Sequence, residues 1–311
     1  MDVEFSLNEE VRKHLEVFGA TFYEEFDGCL QKASNIYNKL PRQLMHRYTR
    51  TPNDPIAFGE DPRQRFLGLL DEQVTLLGVI TLTTGLKLGE LAMGILDGLN
   101  RRRFRIAVMC PRAMYEEAAC FKYYWKKASP LIGSMLSTPP STFRLNRLRK
   151  LSMEPDALKK LFINKVIGVN AILRQWQFAR RVDLSSPEAL YRDHKLDKRH
   201  PVYQQSTLSA LKTTEWEKGK RAEVFYALLC EATHPNCGAS FLYVDFTSAD
   251  STSIQNLISK ERNSQQIYEY VFALICTASI ECVKLLDNFI AAADLERSKI
   301  EKFARKIRQV T

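Results

Sequence analysis

Residues 220–246, KRAEVFYALLCEATHPNCGASFLYVDF, contain the pattern from which the fold is inferred. Their first half places apolar residues three and four positions apart, which is the spacing of one helix face. The predicted buried face is formed by Val224, Phe225, Leu228 and Leu229. Pro235 disfavours the helical conformation at the residue before it, so the helix is predicted to end at Thr233. This end of the helix carries His234.

A carboxylate and an imidazole are predicted to converge at this helix end. Glu231 lies three residues before His234, and residues at that spacing share a helix face. The last backbone carbonyls of a helix lack partners within the helix, so polar side chains are favoured there. Asn236 follows two residues later and is a further candidate for the same site.

Composition predicts a globular protein of one large or two ordinary domains. The chain has 311 residues, of which 45% are hydrophobic and 26% charged. Its 7 cysteines are scattered and odd in number, which predicts no disulfide framework, and no secretory leader is apparent at its start. A cytoplasmic location and no membrane association are therefore expected. The most apolar window, residues 76–96, contains Lys87 and Glu90 and is interpreted as a buried helix.

The positive charge is concentrated in one third of the chain. The net charge is +9, and residues 101–200 hold 22 Lys and Arg against 8 Asp and Glu. This asymmetry predicts an anionic partner, either RNA or another phosphate-bearing ligand, although the solvated surface of a basic protein has the same composition. The candidate nucleic-acid-binding residues are Arg144, Arg147, Arg149, Lys150, Arg180 and Arg181.

Helical periodicity accounts for most of the chain before this basic region. A single amphipathic helix is predicted from Asn8 to about Leu40, and a second is predicted to begin at Asp61-Pro62, a cap residue followed by a proline. Glycines at 78, 85, 89 and 94 weaken a helix by about 1 kcal/mol each. Close helix packing is the expected reason for their presence.

Two further long helices complete the pattern. The turn at residues 100–105 precedes a third helix, in which Arg112 and Glu116 are four apart and can pair on one face. Pro111 is predicted to bend this helix or to mark its start, and residues 129–142 are predicted to end it. The last helix is predicted from Ile254 to about Lys306.

The predicted fold class is all-α, an antiparallel bundle of long helices with a basic helical insertion. Three parts are predicted: an N-terminal helix and proline-rich connection over 1–60, a bundle formed by 61–130 and 215–308, and the insertion over 131–214. No strand partner is apparent for the short aromatic run at 241–246.

No metal or cofactor is predicted. Cys230, His234 and Cys237 have a spacing that matches no common zinc site and lack a fourth local ligand. A di-iron carboxylate bundle requires two Glu-x-x-His pairs, and Glu231 with His234 is the only such pair in the sequence. Gly-rich phosphate loops and nucleophile-elbow motifs are also missing from the sequence.

One predicted helix bears Arg112-Ala-Met-Tyr-Glu116, a later one ends in Leu229-Cys-Glu-Ala-Thr-His234-Pro-Asn236, and a long helix follows. Together these features resemble the HEPN superfamily, in particular an uncharacterised bacterial branch. The resemblance covers roughly residues 60–130 and 215–295. It implies an antiparallel helical bundle and a homodimer. It also implies an RNA-directed, metal-independent endoribonuclease of a bacterial toxin–antitoxin or phage-defence system, with a neutralising or sensor protein as a further partner.

This sequence departs from the ribonuclease signature of that superfamily, an Arg followed by four to six residues and then His. Arg42 and His46 are one residue too close for it, so enzymatic activity is left open. In an active site, Arg112 would stabilise charge on a phosphate, His234 would act as acid or base, and Asn236 would fix the scissile group.

The same polar residues have a second interpretation. Arg112, Glu116 and His234 could satisfy one another as a brace between helices and leave no room for a substrate. The corresponding function is that of a non-catalytic helical interaction or scaffold protein.

Overall fold

The computed structural model describes residues 5–45, 62–144, 166–178, 221–233 and 261–309. Within these ranges the chain forms seven α-helices and one 3-10 turn, with no strand, which confirms the all-α class. The elements are α1 (Glu9–Val17), α2 (Ala20–Met45), α3 (Pro62–Asn100), α4 (Phe104–Leu136), the 3-10 turn Pro140–Phe143, α5 (Gly168–Phe178), α6 (Arg221–Thr233) and α7 (Glu261–Gln309).

The predicted single helix over 8–40 is wrong, because two helices occupy this region. The side chain of Asn8 caps α1 by accepting a hydrogen bond from the Val11 amide at 2.8 Å. Gly19 then adopts a φ of +114°, which a residue with a Cβ rarely adopts, and this interrupts the helix before α2 begins. Helix α2 also continues through Pro41 to Met45.

Helix α3 begins at Pro62 as predicted, and its glycines allow close helix packing. A Cβ added at Gly89 would collide with the side chain of Tyr37 on α2. A Cβ added at Gly94 would lie 2.6 Å from the Sγ of Cys110 on α4. The prediction of close packing is therefore confirmed at both glycines.

The predicted turn between α3 and α4 is a Schellman motif, in which two backbone amides satisfy the last carbonyls of a helix. The amide of Arg102 donates to the carbonyl of Leu99 at 3.1 Å, and the amide of Arg103 donates to that of Gly98 at 2.6 Å. Arg102 has a φ of 54°, at the position where glycine is usual. An arginine therefore occupies a left-handed backbone position in this turn.

Pro111 does not mark the start of α4, and the alternative, a bend at Pro111, stays a prediction. The helix begins at Phe104, runs through Pro111 without ending and continues through Pro130 to Leu136. Pro111 is buried, so packing against neighbouring helices outweighs the local loss of one amide donor. The predicted break over 129–142 begins only after Leu136.

The described residues fall into two compact units. The first unit is formed by the described residues of 5–40, 85–119, 221–233 and 261–287, and the second by those of 41–45, 62–84, 120–144, 166–178 and 288–309. Of the predicted insertion over 131–214, the structure describes 131–144 and 166–178. The three-part division proposed from the sequence stays a prediction.

Aromatic side chains form much of the core of the second unit. The ring of Phe121 contacts Trp176 edge-on with a centroid distance of 4.4 Å and stacks on Phe289 at 5.0 Å. The ring of Tyr124 also stacks on Trp176, with a centroid distance of 5.7 Å. Helices α4, α5 and α7 are thereby joined in this unit.

A buried polar cluster fixes α5 against α3. Glu72 is buried and its carboxylate accepts a hydrogen bond from Asn170 Nδ2 at 2.7 Å and pairs with Arg174. Asn170 Nδ2 also donates to the carbonyl of Leu69 at 3.2 Å. These contacts determine which face of α5 packs inward.

Helix α7 extends slightly further than predicted at its C-terminal end. The predicted start at Ile254 lies outside the described residues, and the described helix ends at Gln309 rather than near Lys306. Arg63 donates to the carbonyl of Ile307 at 2.6 Å and to that of Arg308 at 3.0 Å, which satisfies two carbonyls of the last turn. The inner face of α7 contains Val271, Leu274, Ala278 and Cys282, which are spaced three and four residues apart and are all buried.

Among the described residues, the segment Phe66–Asn100 is the one stretch long and apolar enough to cross a membrane, judged by length and composition. Half of its most apolar window is buried inside the protein. The buried helix predicted at 76–96 is present. The cytoplasmic location and the absence of membrane association stay predictions.

Candidate functional site

A polar network in the first unit joins α4 to α6. Arg112 Nη1 donates a hydrogen bond to Thr233 Oγ1 at 2.7 Å. Further along α4, Glu116 Oε1 accepts a hydrogen bond from the Tyr226 hydroxyl at 3.2 Å. Residue numbers rise along α4 as they fall along α6, so these two helices pack antiparallel.

The predicted pairing of Arg112 with Glu116 is confirmed. Arg112 Nε lies 3.4 Å from Glu116 Oε1, and the two side chains are 28% and 41% exposed. An ion pair with this spacing and exposure contributes only a few tenths of a kcal/mol, about 0.3–0.5. Its main effect is to orient the guanidinium.

Thr233 closes the network at the end of α6. Its hydroxyl accepts from Arg112 and donates to the carbonyl of Cys230 at 3.0 Å. Burial lowers the pKa of Arg112, but Cys230, Glu116 and Tyr226 together raise that pKa above its ordinary value. Arg112 therefore carries a permanent positive charge that remains partly open to solvent.

The buried face of α6 differs from the predicted one. Tyr226 and Leu229 are buried, whereas Val224 is 51% and Leu228 39% exposed. The prediction is thus correct for Leu229 and wrong for Val224 and Leu228, because the polar contacts with α4 determine which side faces inward. Glu231 is exposed, on the side of the helix away from these contacts.

Behind this network lies a buried tyrosine. Tyr115 packs edge-on against Tyr226 with a centroid distance of 6.5 Å, and its hydroxyl donates to Glu281 Oε2 at 3.3 Å. Burial, followed by the nearby Cys282 and Glu281, raises the pKa of Tyr115 far above its usual range. The hydroxyl stays protonated and ties α4 to α7 beneath the network.

His234 and Asn236 lie outside the described residues. The convergence of Arg112 and Glu116 with His234, and the role given to Asn236, therefore stay predictions. Arg144 is exposed immediately after the 3-10 turn. The other predicted nucleic-acid-binding residues lie outside the described part of the chain: Arg147, Arg149, Lys150, Arg180 and Arg181.

The described helices contain no group of three or more His, Cys, Asp or Glu side chains placed to hold a metal ion. Cys230 is a free cysteine of α6, and its two suggested co-ligands, His234 and Cys237, lie outside the described ranges. Neither a metal nor a cofactor is assigned to the site.

Two members of the network were not identified from the sequence. Tyr226 and Thr233 are seven residues apart, which places both on one face of α6. Two hydroxyl-bearing residues at that spacing can meet an Arg and a Glu four apart on an antiparallel helix. Because most residues between them are apolar, the sequence pattern does not indicate that these two side chains act together.

The chain matches no known protein family, no curated protein and no solved structure. The resemblance to the HEPN superfamily therefore stays a hypothesis, and the function has to be inferred from the chain's own residues.

Proposed function

We propose that this protein is an RNA-directed, ribonuclease-like effector with its reaction centre where the end of α6 meets α4. The observation that carries this proposal is the 2.7 Å hydrogen bond from Arg112 to Thr233. Thr233 immediately precedes His234 in the sequence, so a fixed guanidinium contacts the residue next to the imidazole proposed for catalysis.

The state of Arg112 suits a role in binding phosphate. A guanidinium has five N–H donors in a rigid planar arrangement. Glu116 holds Nε and Thr233 holds Nη1, while 28% of the side chain is exposed. The group is thus oriented by the protein and still accessible to an anionic ligand.

The proposed chemistry is metal-independent cleavage of an RNA backbone. The 2′-oxygen attacks the adjacent phosphorus, the bond from phosphorus to the 5′-oxygen breaks, and the products end in a 2′,3′-cyclic phosphate and a 5′-hydroxyl. A base removes the proton from the 2′-hydroxyl and an acid protonates the departing 5′-oxygen. His234 is proposed for one of these proton transfers and Arg112 for stabilising the charge on the phosphate oxygens.

The test is RNA cleavage by the purified full-length protein in EDTA. The substrates are an unstructured 30-nucleotide RNA and a stem–loop RNA, and products are examined for cyclic phosphate ends. His234→Ala and Arg112→Ala are expected to abolish cleavage, and Arg305→Ala, at an exposed arginine of α7, is expected to retain it. Cleavage that survives His234→Ala would show that the proposed centre is wrong.

One observation favours a second function, that of a non-catalytic scaffold. Within the described network, Glu116 forms an ion pair with Arg112 and accepts a hydrogen bond from Tyr226. Thr233 accepts a hydrogen bond from Arg112 and donates one to the carbonyl of Cys230. Polar groups that satisfy one another in this way are also found where their single role is to join two helices. The scaffold function predicts that the wild-type protein does not cleave RNA. It also predicts that Arg112→Ala lowers the stability of the protein and changes no activity.

A further inference from the structure

One exposed face of α4 leads directly to Arg112. Arg105, Met109 and Arg112 are spaced by four and three residues, which places them on a single helix face. Arg105 is exposed and Met109 is 55% exposed. Two helical turns, about 10 Å, separate Arg105 from Arg112 along the axis. Ile106, beside them, is a further large apolar residue that is 44% exposed.

The arginines of the turn before α4 and of its first residues are not equivalent. Arg101 pairs with Asp97 at 2.6 Å, and Arg102 pairs with Glu10. Arg103 and Arg105 are exposed and form no ion pair with any residue that the structure describes. Two guanidiniums are therefore available to an external anion close to the turn between α3 and α4.

We propose that Arg105 and Met109 on this face of α4, with Arg103 at the turn before the helix, form a track along which single-stranded RNA reaches Arg112. This inference rests on the proposed function, and it adds the strand type and the residues that guide it. The guanidiniums contact successive phosphates, and the apolar side chain of Met109 contacts a base.

The combination of charge and exposed apolar surface favours a single strand over a duplex. A duplex presents its phosphates outward and stacks its bases inside, so Met109 and Ile106 would gain no apolar contact from it. A single strand exposes its bases and can place them against such side chains.

The experiment measures binding to a labelled 12-nucleotide 2′-O-methyl RNA, which cannot be cleaved through its 2′-oxygen. Fluorescence anisotropy is recorded for the full-length protein over a range of salt concentrations. The test variant is Arg103→Gln with Arg105→Gln. The control is Lys302→Gln with Arg305→Gln, which removes the same charge from two exposed residues of α7. Circular dichroism spectra and melting temperatures confirm that both variants are folded.

The slope of log affinity against log salt concentration is expected to fall by about 1.4 in the test variant, which is about 0.7 for each phosphate that the protein no longer neutralises. The control is expected to keep the wild-type slope. Met109→Gln is expected to weaken binding and leave the slope unchanged, because it removes an apolar side chain and no charge.

Equal slopes in the test and control variants would overturn the track. If cleavage is still lost in His234→Ala while the slopes are equal, the proposed function stands and only the track is wrong. A wild-type protein that neither binds nor cleaves RNA would overturn both.

Discussion

Replacing Thr233 by valine should detach the end of α6 from α4 while preserving the shape of the side chain. The change removes the acceptor for Arg112 Nη1, 2.7 Å away, and the donor to the Cys230 carbonyl. A hydrogen bond to a charged group contributes about 1.5–3 kcal/mol. Because 28% of the Arg112 side chain is exposed, water replaces part of this, and the expected loss of unfolding free energy is about 1–2 kcal/mol.

Thr233→Ser is the matched control, since it retains the hydroxyl and is expected to cost less than about 0.5 kcal/mol. Urea unfolding followed by circular dichroism gives the difference in free energy. Hydrogen exchange measured by mass spectrometry reports opening of residues 221–233 directly, and only the valine variant should exchange faster there. Equal stability and equal exchange in the two variants would refute the proposed anchoring role.

Three further predictions concern packing, capping and thiol reactivity. Gly89→Ala should destabilise the protein by about 1–2 kcal/mol in urea unfolding, because its new Cβ collides with Tyr37. Gly28→Ala, also within a helix but with open space around it, should stabilise the protein by up to about 1 kcal/mol. A change of the same sign in both variants would contradict the close packing. Arg63→Met should increase amide exchange in the last turn of α7, because two carbonyls lose their donor, and unchanged exchange there would argue against the cap. Burial raises the pKa of the Cys110 thiol to about 11, so alkylation at pH 8, followed by peptide mass spectrometry, should be about a hundredfold slower than that of an ordinary thiol; rapid modification of the folded protein would disprove this.

Periodicity predicts the long helices well because their packing is repetitive. The start of α3 at Pro62 and the buried residues Val271, Leu274 and Ala278 of α7 follow from local rules of helix capping and spacing. The close approach at Gly89 is also predictable, since glycine in a helix interior has a cost that packing must offset.

Local rules fail where a distant contact determines the structure. They allow α4 to start at Pro111, but the helix begins at Phe104, because the burial of Pro111 against other helices outweighs the missing amide donor. They also predict a continuous helix through Gly19, although its positive φ divides α1 from α2. Nothing local distinguishes a glycine that allows close packing from one that ends a helix.

The candidate site is predictable in part for the same reason. Arg112 and Glu116 follow from a spacing of four within one helix. Tyr226 and Thr233 depend on the rotation of α6 about its axis, and apolar content suggests a different face containing Val224. Two hydroxyls bonded to α4 determine that rotation, and their contribution depends on a partner more than a hundred residues away.

The exposure of the Arg112 network bears on the choice between scaffold and enzyme. A polar brace stabilises a fold most when water cannot compete for its groups. The cluster around Glu72 has this character, because its carboxylate is only 8% exposed and is held by Asn170. Arg112 and Glu116 are 28% and 41% exposed, so their pairing contributes little to stability, yet the same exposure is what an anionic ligand requires. The ion pair of Arg112 with Glu116 therefore orients the guanidinium while adding little stability and leaving it open to solvent, which supports the proposed binding of phosphate.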